Sequence, residues 1–322
     1  MSGIDWIILA AGWFVCLAWI DRAARLAIFL RRYPPLVRQP APALTSDPSV
    51  CVIVAARNEA DAIAGCLDSL AAQDWRNLHI VAVDDRSDDA TGTLMDRSAA
   101  DSPRVTVVHI RDLPAGWLGK NHANAAAAAL PVAREANYLL FTDGDVIFAA
   151  DAVRRAVGCA ERGGLDHLCL TPDIAAHGVL ERAVCHFFGF CYLLKCKPWR
   201  IPDPRARQAF SGVGAFNLVR REAYVAAGGH EPLRLEVLDD YKLGKLIKSR
   251  GGRCLLLDGR SLMRVRWQQG LGGFVRGLEK NAFAGCDFSL LRLAQVIVMI
   301  LMVFVMPWIL GVALVGPARW GW

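Results

Sequence analysis

The chain has 322 residues, of which 54% are hydrophobic and 21% charged, and its formal net charge is +6. The apolar share exceeds the ~45–50% usual for a soluble domain, and the excess lies at the two ends. That leaves roughly 240 residues of ordinary composition, enough for one large α/β domain. The basic residues form no stripe with interleaved aromatics, which argues against nucleic acid; many flank the apolar ends, as beside the cytoplasmic face of a membrane.

From Ile4 to Ile20 only Asp5 interrupts an apolar run just long enough to span a hydrocarbon core as a helix. Arg22, Arg25, Arg31 and Arg32 follow it, so a retained anchor fits better than a signal peptide, which carries its basic residues first. Residues 1–32 are expected to form this anchor and a juxtamembrane helix. The proline-containing stretch 33–48 reads as an extended linker.

Residues 49–285 alternate short apolar runs with helical patterns. Residues 50–55, 79–83, 105–110, 138–142 and 167–171 read as strands, with helical patterns at 59–73, 88–101 and 120–135. That alternation predicts an α/β fold with a mostly parallel sheet covered by helices on both faces. Ligands in such sheets bind beyond the carboxyl ends of the strands, where the chemistry-bearing residues fall. The first strand runs into Ala56, Arg57, Asn58 and Glu59, with no glycine-rich nucleotide fingerprint. The second ends in Asp84 and Asp85, acids able to hydrogen-bond a ribose or base, while Ser87 or Asp88 caps the helix that follows.

Gly116-Trp117-Leu118-Gly119-Lys120 opens an alanine-rich helix, where a lysine and free backbone N–H groups suit a phosphate. The fourth strand ends in Asp143-Gly144-Asp145, two carboxylates able to converge on Mg2+ or Mn2+. Asp239 and Asp240 begin a further apolar-faced helix. They serve either as charges favoured by the helix dipole or as a general base near the metal. Val184–Leu194 is too short to span and is either an interfacial or a buried helix. His186 and His230 read as turn or core histidines before metal ligands. Ten scattered cysteines without a CxxC pair read as buried, reduced hydrophobes. Residues 286–322 contain a second apolar run, Leu293–Val315, preceded by Arg276, Lys280 and Arg292. Both ends therefore predict a multi-pass protein of the inner membrane with its central domain in the cytosol.

Six motifs occur in order: Ala56-Arg57-Asn58-Glu59, Val83-Asp84-Asp85-Arg86-Ser87, Gly116-Trp117-Leu118-Gly119-Lys120, Thr142-Asp143-Gly144-Asp145, Gly212-Val213-Gly214-Ala215-Phe216 and Asp239-Asp240. Over residues 50–285 the chain resembles family 2 glycosyltransferases of the GT-A fold. It is most similar to the membrane-anchored branch that includes ceramide glucosyltransferases and hopanoid- and carotenoid-associated enzymes.

The resemblance implies an inverting hexosyltransferase acting from a nucleotide-sugar, a UDP-sugar by preference, onto a membrane lipid. Ala56, Arg57, Glu59, Asp84, Asp85 and Lys120 would hold the nucleotide. Asp143 and Asp145 would face the donor and its divalent cation, Mg2+ or Mn2+, with Asp145 the firmer ligand. Asp240 would be the base, beside Asp239. The processive members' (Q/R)-x-x-R-W signature is incomplete, since Met263 stands three before Arg266-Trp267. That argues against processivity and leaves Arg266 and Trp267 as acceptor-side candidates. A sugar nucleotidylyltransferase would want a glycine-rich N-terminal loop, and an inactive scaffold would be expected to have lost an acidic cluster.

Overall fold

A computed structural model describes residues 3–40, 47–266 and 270–309. The chain divides into two compact units: Tyr33–Phe274, and Met1–Arg32 with Val275–Trp322.

The secondary structure begins with helix α1 (Gly3–Arg32). Then come strand β1 (Val50–Ala56), α2 (Ile63–Ala71), β2 (Leu78–Asp85), α3 (Thr91–Asp101) and β3 (Val105–Ile110). Next are α4 (Gly119–Ala128), the single turn α5 (Pro131–Arg134), β4 (Tyr138–Asp143), β5 (Val146–Phe148) and α6 (Ala152–Gly163). Beyond these lie β6 (His167–Thr171), β7 (Asp173–Ile174), α7 (Gly178–Cys196), β8 (Asn217–Arg220) and α8 (Arg221–Ala227). The last are α9 (Asp239–Ser249), β9 (Cys254–Asp258), β10 (Met263–Val265), α10 (Gly270–Gly285) and α11 (Leu290–Ile300).

Seven strands form one sheet in the order β3-β2-β1-β4-β8-β6-β9. All neighbours are parallel except at β8, which runs antiparallel to both β4 and β6. Residues 50–56 are buried throughout, as a strand covered on both faces requires. Cys51, Ile53 and Ala55 pack with Val81, Val83 and the Ala123 and Ala127 methyls of α4. Alternation turns Val52 and Val54 to the opposite face, where α2 buries Ile63, Leu67 and Leu70. A small second sheet, β5-β10-β7, completes the domain.

Two expectations change. The helical pattern at 120–135 breaks into α4 and α5, because Pro131 lacks the N–H that would continue the first helix. The linker is also less free than its prolines suggest: 36–38 forms a 3₁₀ turn, Leu36 is buried, and the Val37 carbonyl accepts from Arg155 at 3.3 Å. Its residues 41–46 lie outside the described residues. All ten cysteines are free, and eight are buried.

Among the described residues one helical run, Leu290–Ile309, is long and apolar enough to cross a membrane. At about 1.5 Å per residue its 20 residues match the ~30 Å hydrocarbon core.

Candidate active site

β1, β2 and β4 end side by side, so parallel pairing alone brings Ala56, Asp84, Asp85 and Asp143 to one edge. Ala56 is the buried last residue of β1. Arg57 is exposed, and Asn58 takes a left-handed φ of 56°. The tips of β1 and β2 are laced together. The backbone N–H of Asn58 donates to Ser87 Oγ at 3.1 Å, that of Glu59 to Thr91 Oγ1 at 2.8 Å, and that of Asp88 to Asn58 Oδ1 at 2.8 Å. Thr91 was not singled out from sequence, and Asn58 stood there only as part of the first motif, with no role of its own; Asn is one of the few residues that tolerate that φ.

Asp84 and Asp85 point to different partners. Asp84 accepts from the Ser87 N–H at 3.1 Å and from His109 Nδ1 at 3.1 Å, while His109 Nε2 lies 3.0 Å from Asp96. Burial works against the Asp84 anion, but the Ser87 and His109 hydrogen bonds outweigh it and hold its pKa below the usual range. His109, bonded by Asp84 and Asp96, is held above its ordinary value. Asp85 is gripped by the Arg86 guanidinium at 2.8 and 3.2 Å.

The second group forms where β4, α4 and α9 meet. Lys120, one residue into α4, donates to Asp143 Oδ1 at 2.5 Å and lies 3.8 Å from Asp239 Oδ1. Asp239 also accepts from Asn124 Nδ2 at 3.4 Å, one helical turn beyond Lys120. Lys120, Asn124, Gly214, His230, Asp239 and Asp240 line one pocket. Burial disfavours the Lys120 cation, but the carboxylates of Asp143, Asp239 and Asp240 more than reverse this and raise its pKa. Burial and the adjoining Asp239 push Asp240 up to about 7, against the pull of Lys120. Asp239 is raised as well, by burial and by Asp143, again opposed by Lys120.

The Gly-Val-Gly stretch explains how these pieces close on one another. A Cβ on Gly212 would sit 1.8 Å from the Asp240 carbonyl oxygen, and one on Gly214 would sit 2.4 Å from Asp143 Oδ2. The two glycines let one loop press against both the start of α9 and the tip of β4. Tyr192 of α7 clamps this loop, its hydroxyl lying 2.6 Å from Ser211 Oγ and 2.9 Å from the Gly212 carbonyl. Neither Asn124 nor Tyr192 stood out in sequence; each sits in an apolar helical pattern that gives no cue to its polar task.

Asp145 lies beyond Gly144, at the start of the turn into β5. Burial, then the Asp143 and Glu59 carboxylates, push it up to about 7, and burial and Asp143 raise Glu59 in turn. A carboxylate disfavoured by neighbouring carboxylates, as Asp145 is by Asp143 and Glu59, suits a divalent cation. Among the described residues no three His, Cys, Asp or Glu side chains are grouped to hold an ion unaided. Such a site fits a cation that takes its remaining oxygens from a diphosphate and water, as Mg2+ commonly does.

His230 is a core residue, its Nδ1 2.8 Å from the Tyr224 hydroxyl and its ring 4.8 Å from Phe141. Burial, then Lys120, lower its pKa to about 3. His186 bonds the Arg182 carbonyl within its own helix. Arg266 follows β10 and is exposed, and Trp267 lies outside the described residues.

The pattern of glycosyl transferase family 2 matches residues 51–226, more than half of the chain. The chain belongs to that family. This glycosyltransferase is 32% identical over 123 residues to the succinoglycan biosynthesis protein ExoO of Rhizobium meliloti, a match covering 38% of this chain and 33% of that protein. It is 22% identical over 260 residues to the 4,4'-diaponeurosporenoate glycosyltransferase of Staphylococcus haemolyticus, covering 78% of this chain and 65% of the relative. The glycosyltransferase thus spans a third to just under two thirds of the length of these relatives.

Among solved structures it is similar to a mannosyltransferase from Pyrobaculum calidifontis in complex with GDP-Man and Mn2+. The TM-score is 0.58 at 21% identity, covering 85% of this chain and 72% of the other. It is also similar to the mannosyl-3-phosphoglycerate synthase from Rubrobacter xylanophilus, with TM-score 0.50 at 16% identity, covering 81% and 82%. These likenesses show a GT-A-type fold.

Proposed function

We propose that this glycosyltransferase moves a hexose, with inversion, from a nucleotide-sugar onto a hydroxyl of a membrane lipid. The observation that carries the reading is the Lys120 ammonium held between Asp143 and Asp239. It joins the donor-side strand tip to the helix that begins with Asp239 and Asp240. A half-buried carboxyl with a pKa near 7 is suited to accept a proton at neutral pH.

Asp240 takes the acceptor hydroxyl's proton as that oxygen bonds to the anomeric carbon and the bond from that carbon to the diphosphate oxygen breaks on the opposite face. Lys120 holds positive charge beside the base and the donor carboxylate. Ala56, Arg57, Glu59, Asp84 and Asp85 form the nucleotide edge, with UDP the preferred carrier. Asp145, with Asp143, would hold a divalent cation, Mg2+ or Mn2+. When bound, that ion offsets charge on the leaving diphosphate. Arg266 and Trp267 belong to the acceptor side.

The domain organisation follows: a membrane anchor and juxtamembrane helix at 1–32, a linker at 33–48, a cytosolic catalytic domain at 49–285 and a membrane segment at 286–322. The apolar first half of α1 is a second span, which makes the protein multi-pass in the inner membrane. Support comes from Trp13, Phe14, Leu17 and Ile20, all large apolar side chains exposed along α1.

The decisive experiment incubates the full chain in lipid bilayers with a panel of UDP- and GDP-sugars and a membrane lipid extract. Glycolipid of inverted anomeric configuration, abolished by exhaustive chelation and restored by Mg2+ or Mn2+, is expected. Transfer that survives chelation would remove the cation. Equal transfer to soluble acceptors would remove the lipid specificity.

A further inference from the structure

Helix α7 has two sides of different character. Its inner side buries Cys185 and Cys196 and carries the Tyr192 hydroxyl to the Ser211–Gly212 loop. Its outer side begins with Val179 and Leu180, 86% and 61% exposed, and continues through Ala183, also exposed, to Phe187, 46% exposed. Positions 179, 183 and 187 follow one another at intervals of four, so they form a single stripe along the helix. Exposed apolar residues grouped on one stripe of a helix mark an interaction surface more than scattered ones do.

Charge identifies the partner. Residues 178–207 contain six lysines and arginines against two acids, an excess of four on a chain whose net charge is +6. Lys197, Arg200, Arg205 and Arg207, which follow the helix, are all exposed, as is Arg182 beside the stripe. An apolar helical stripe carrying Arg182 beside it and followed along the chain by four exposed basic residues is a combination that suits the headgroup region of an anionic bilayer.

We propose that α7 and the basic segment after it lie on a membrane surface of anionic phospholipid, with Val179, Leu180 and Phe187 in the headgroup–acyl boundary. The inference rests on the membrane reading given above but not on the chemistry of sugar transfer. Since Tyr192 of the same helix holds the loop packed against Asp240, lipid contact on one side of α7 would be mechanically connected to the base on the other.

The test uses the full chain in nanodiscs of phosphatidylcholine containing about one third phosphatidylglycerol, with a photoactivatable diazirine in the acyl chains. Mass spectrometry then maps the cross-links. Labelling of residues 179–187 is expected in addition to that of Leu290–Ile309. With Val179→Asn and Leu180→Asn together, labelling of 179–187 should fall about tenfold, as loss of buried apolar area predicts, while Leu290–Ile309 is labelled as before. Wild-type cross-links confined to the spanning helices would overturn the proposal. Equal labelling of 179–187 in discs lacking phosphatidylglycerol would overturn its anionic character. Labelling needs neither donor nor acceptor, so absent sugar transfer with labelling intact would count against the functional reading alone.

Discussion

The chain carries acids at the tips of two parallel strands, β2 and β4, which flank β1 in the sheet, and treats them in opposite ways. At β2, Asp84 meets a backbone N–H and an imidazole, and Asp85 meets a guanidinium fork. At β4, Asp143 shares one lysine with Asp239, while the Asp143 and Glu59 carboxylates disfavour the Asp145 charge. An acid whose lone pairs are already met locally sets the shape of a turn. An acid left crowded among its own kind stays poised for a proton, a cation or a phosphate. The two tips look alike in sequence; their surroundings assign them different work.

The sharpest way to break this comparison is to remove one carboxylate from the β2 tip and one from the acidic group around Lys120, to which the β4 tip belongs. Asp240→Asn keeps the size of the side chain and loses the base, so kcat is expected to fall by about 10²–10⁴ while donor affinity stays within about twofold. Asp84→Asn is expected to act through donor KM, by about tenfold or less, with kcat near wild type. Steady-state kinetics at saturating donor separates the two. A comparable loss of kcat in both variants would erase the distinction between the β2 tip and the acidic group around Lys120.

A smaller effect is expected from Lys120→Met. Lys120 pulls the Asp240 pKa down, so its removal lets that pKa rise and leaves less of the base ionised at neutral pH. The rate near pH 7 should fall by about tenfold for each unit the pKa moves and recover as the pH is raised. The pH profile of kcat/KM is the readout. A uniform loss at every pH would assign Lys120 to phosphate binding alone.

Most of the sheet was legible in sequence because β1, β2, β4 and β6 are largely buried on both faces and read as continuous apolar runs. β8, of four residues, was not: it is short and bounded by a tight loop and by α8, so it offers no period to read. Its antiparallel insertion between β4 and β6 is nonetheless what carries the 211–216 loop back past Asp143. The order of the acidic motifs was legible for the same reason the strands were, since each acid follows an apolar run. The division of labour between Asp84 and Asp143 was not legible. It depends on His109 and Lys120, contributed by different elements, and only the folded chain brings them within 3.1 and 2.5 Å.

Tyr192 sharpens the contrast from the α7 side. Its hydroxyl meets Ser211 Oγ, the Gly212 carbonyl and, at 3.3 Å, the Gly212 N–H. Tyr192→Phe leaves those groups short of a partner at a cost of about 1–2 kcal/mol. Because Gly212 rests against the Asp240 carbonyl, kcat should fall several-fold with donor KM unchanged. A variant that melts earlier yet keeps wild-type kcat would reduce Tyr192 to a packing residue.

The smallest effect belongs to the quiet strand tip, and it concerns stability. His109 has a carboxylate oxygen at each ring nitrogen, and carboxylates can only accept, so the site favours the cationic ring, in which both nitrogens donate. Its folded pKa lies above the ordinary 6.5, so the stability it contributes is fully present below that value. It is lost as pH rises through the folded pKa. Asp84, whose pKa is lowered from 3.8, contributes in the reverse sense: its share is present above 3.8 and lost as pH falls through its folded value. His109→Gln should therefore cost on the order of 1 kcal/mol at pH 6 and progressively less at higher pH. Thermal unfolding of wild type and variant across pH 5.5–9 should show the two curves converging toward the alkaline end. Curves that stay parallel would mean the imidazole is neutral in the folded chain, and that Asp84 is held by the Ser87 turn alone.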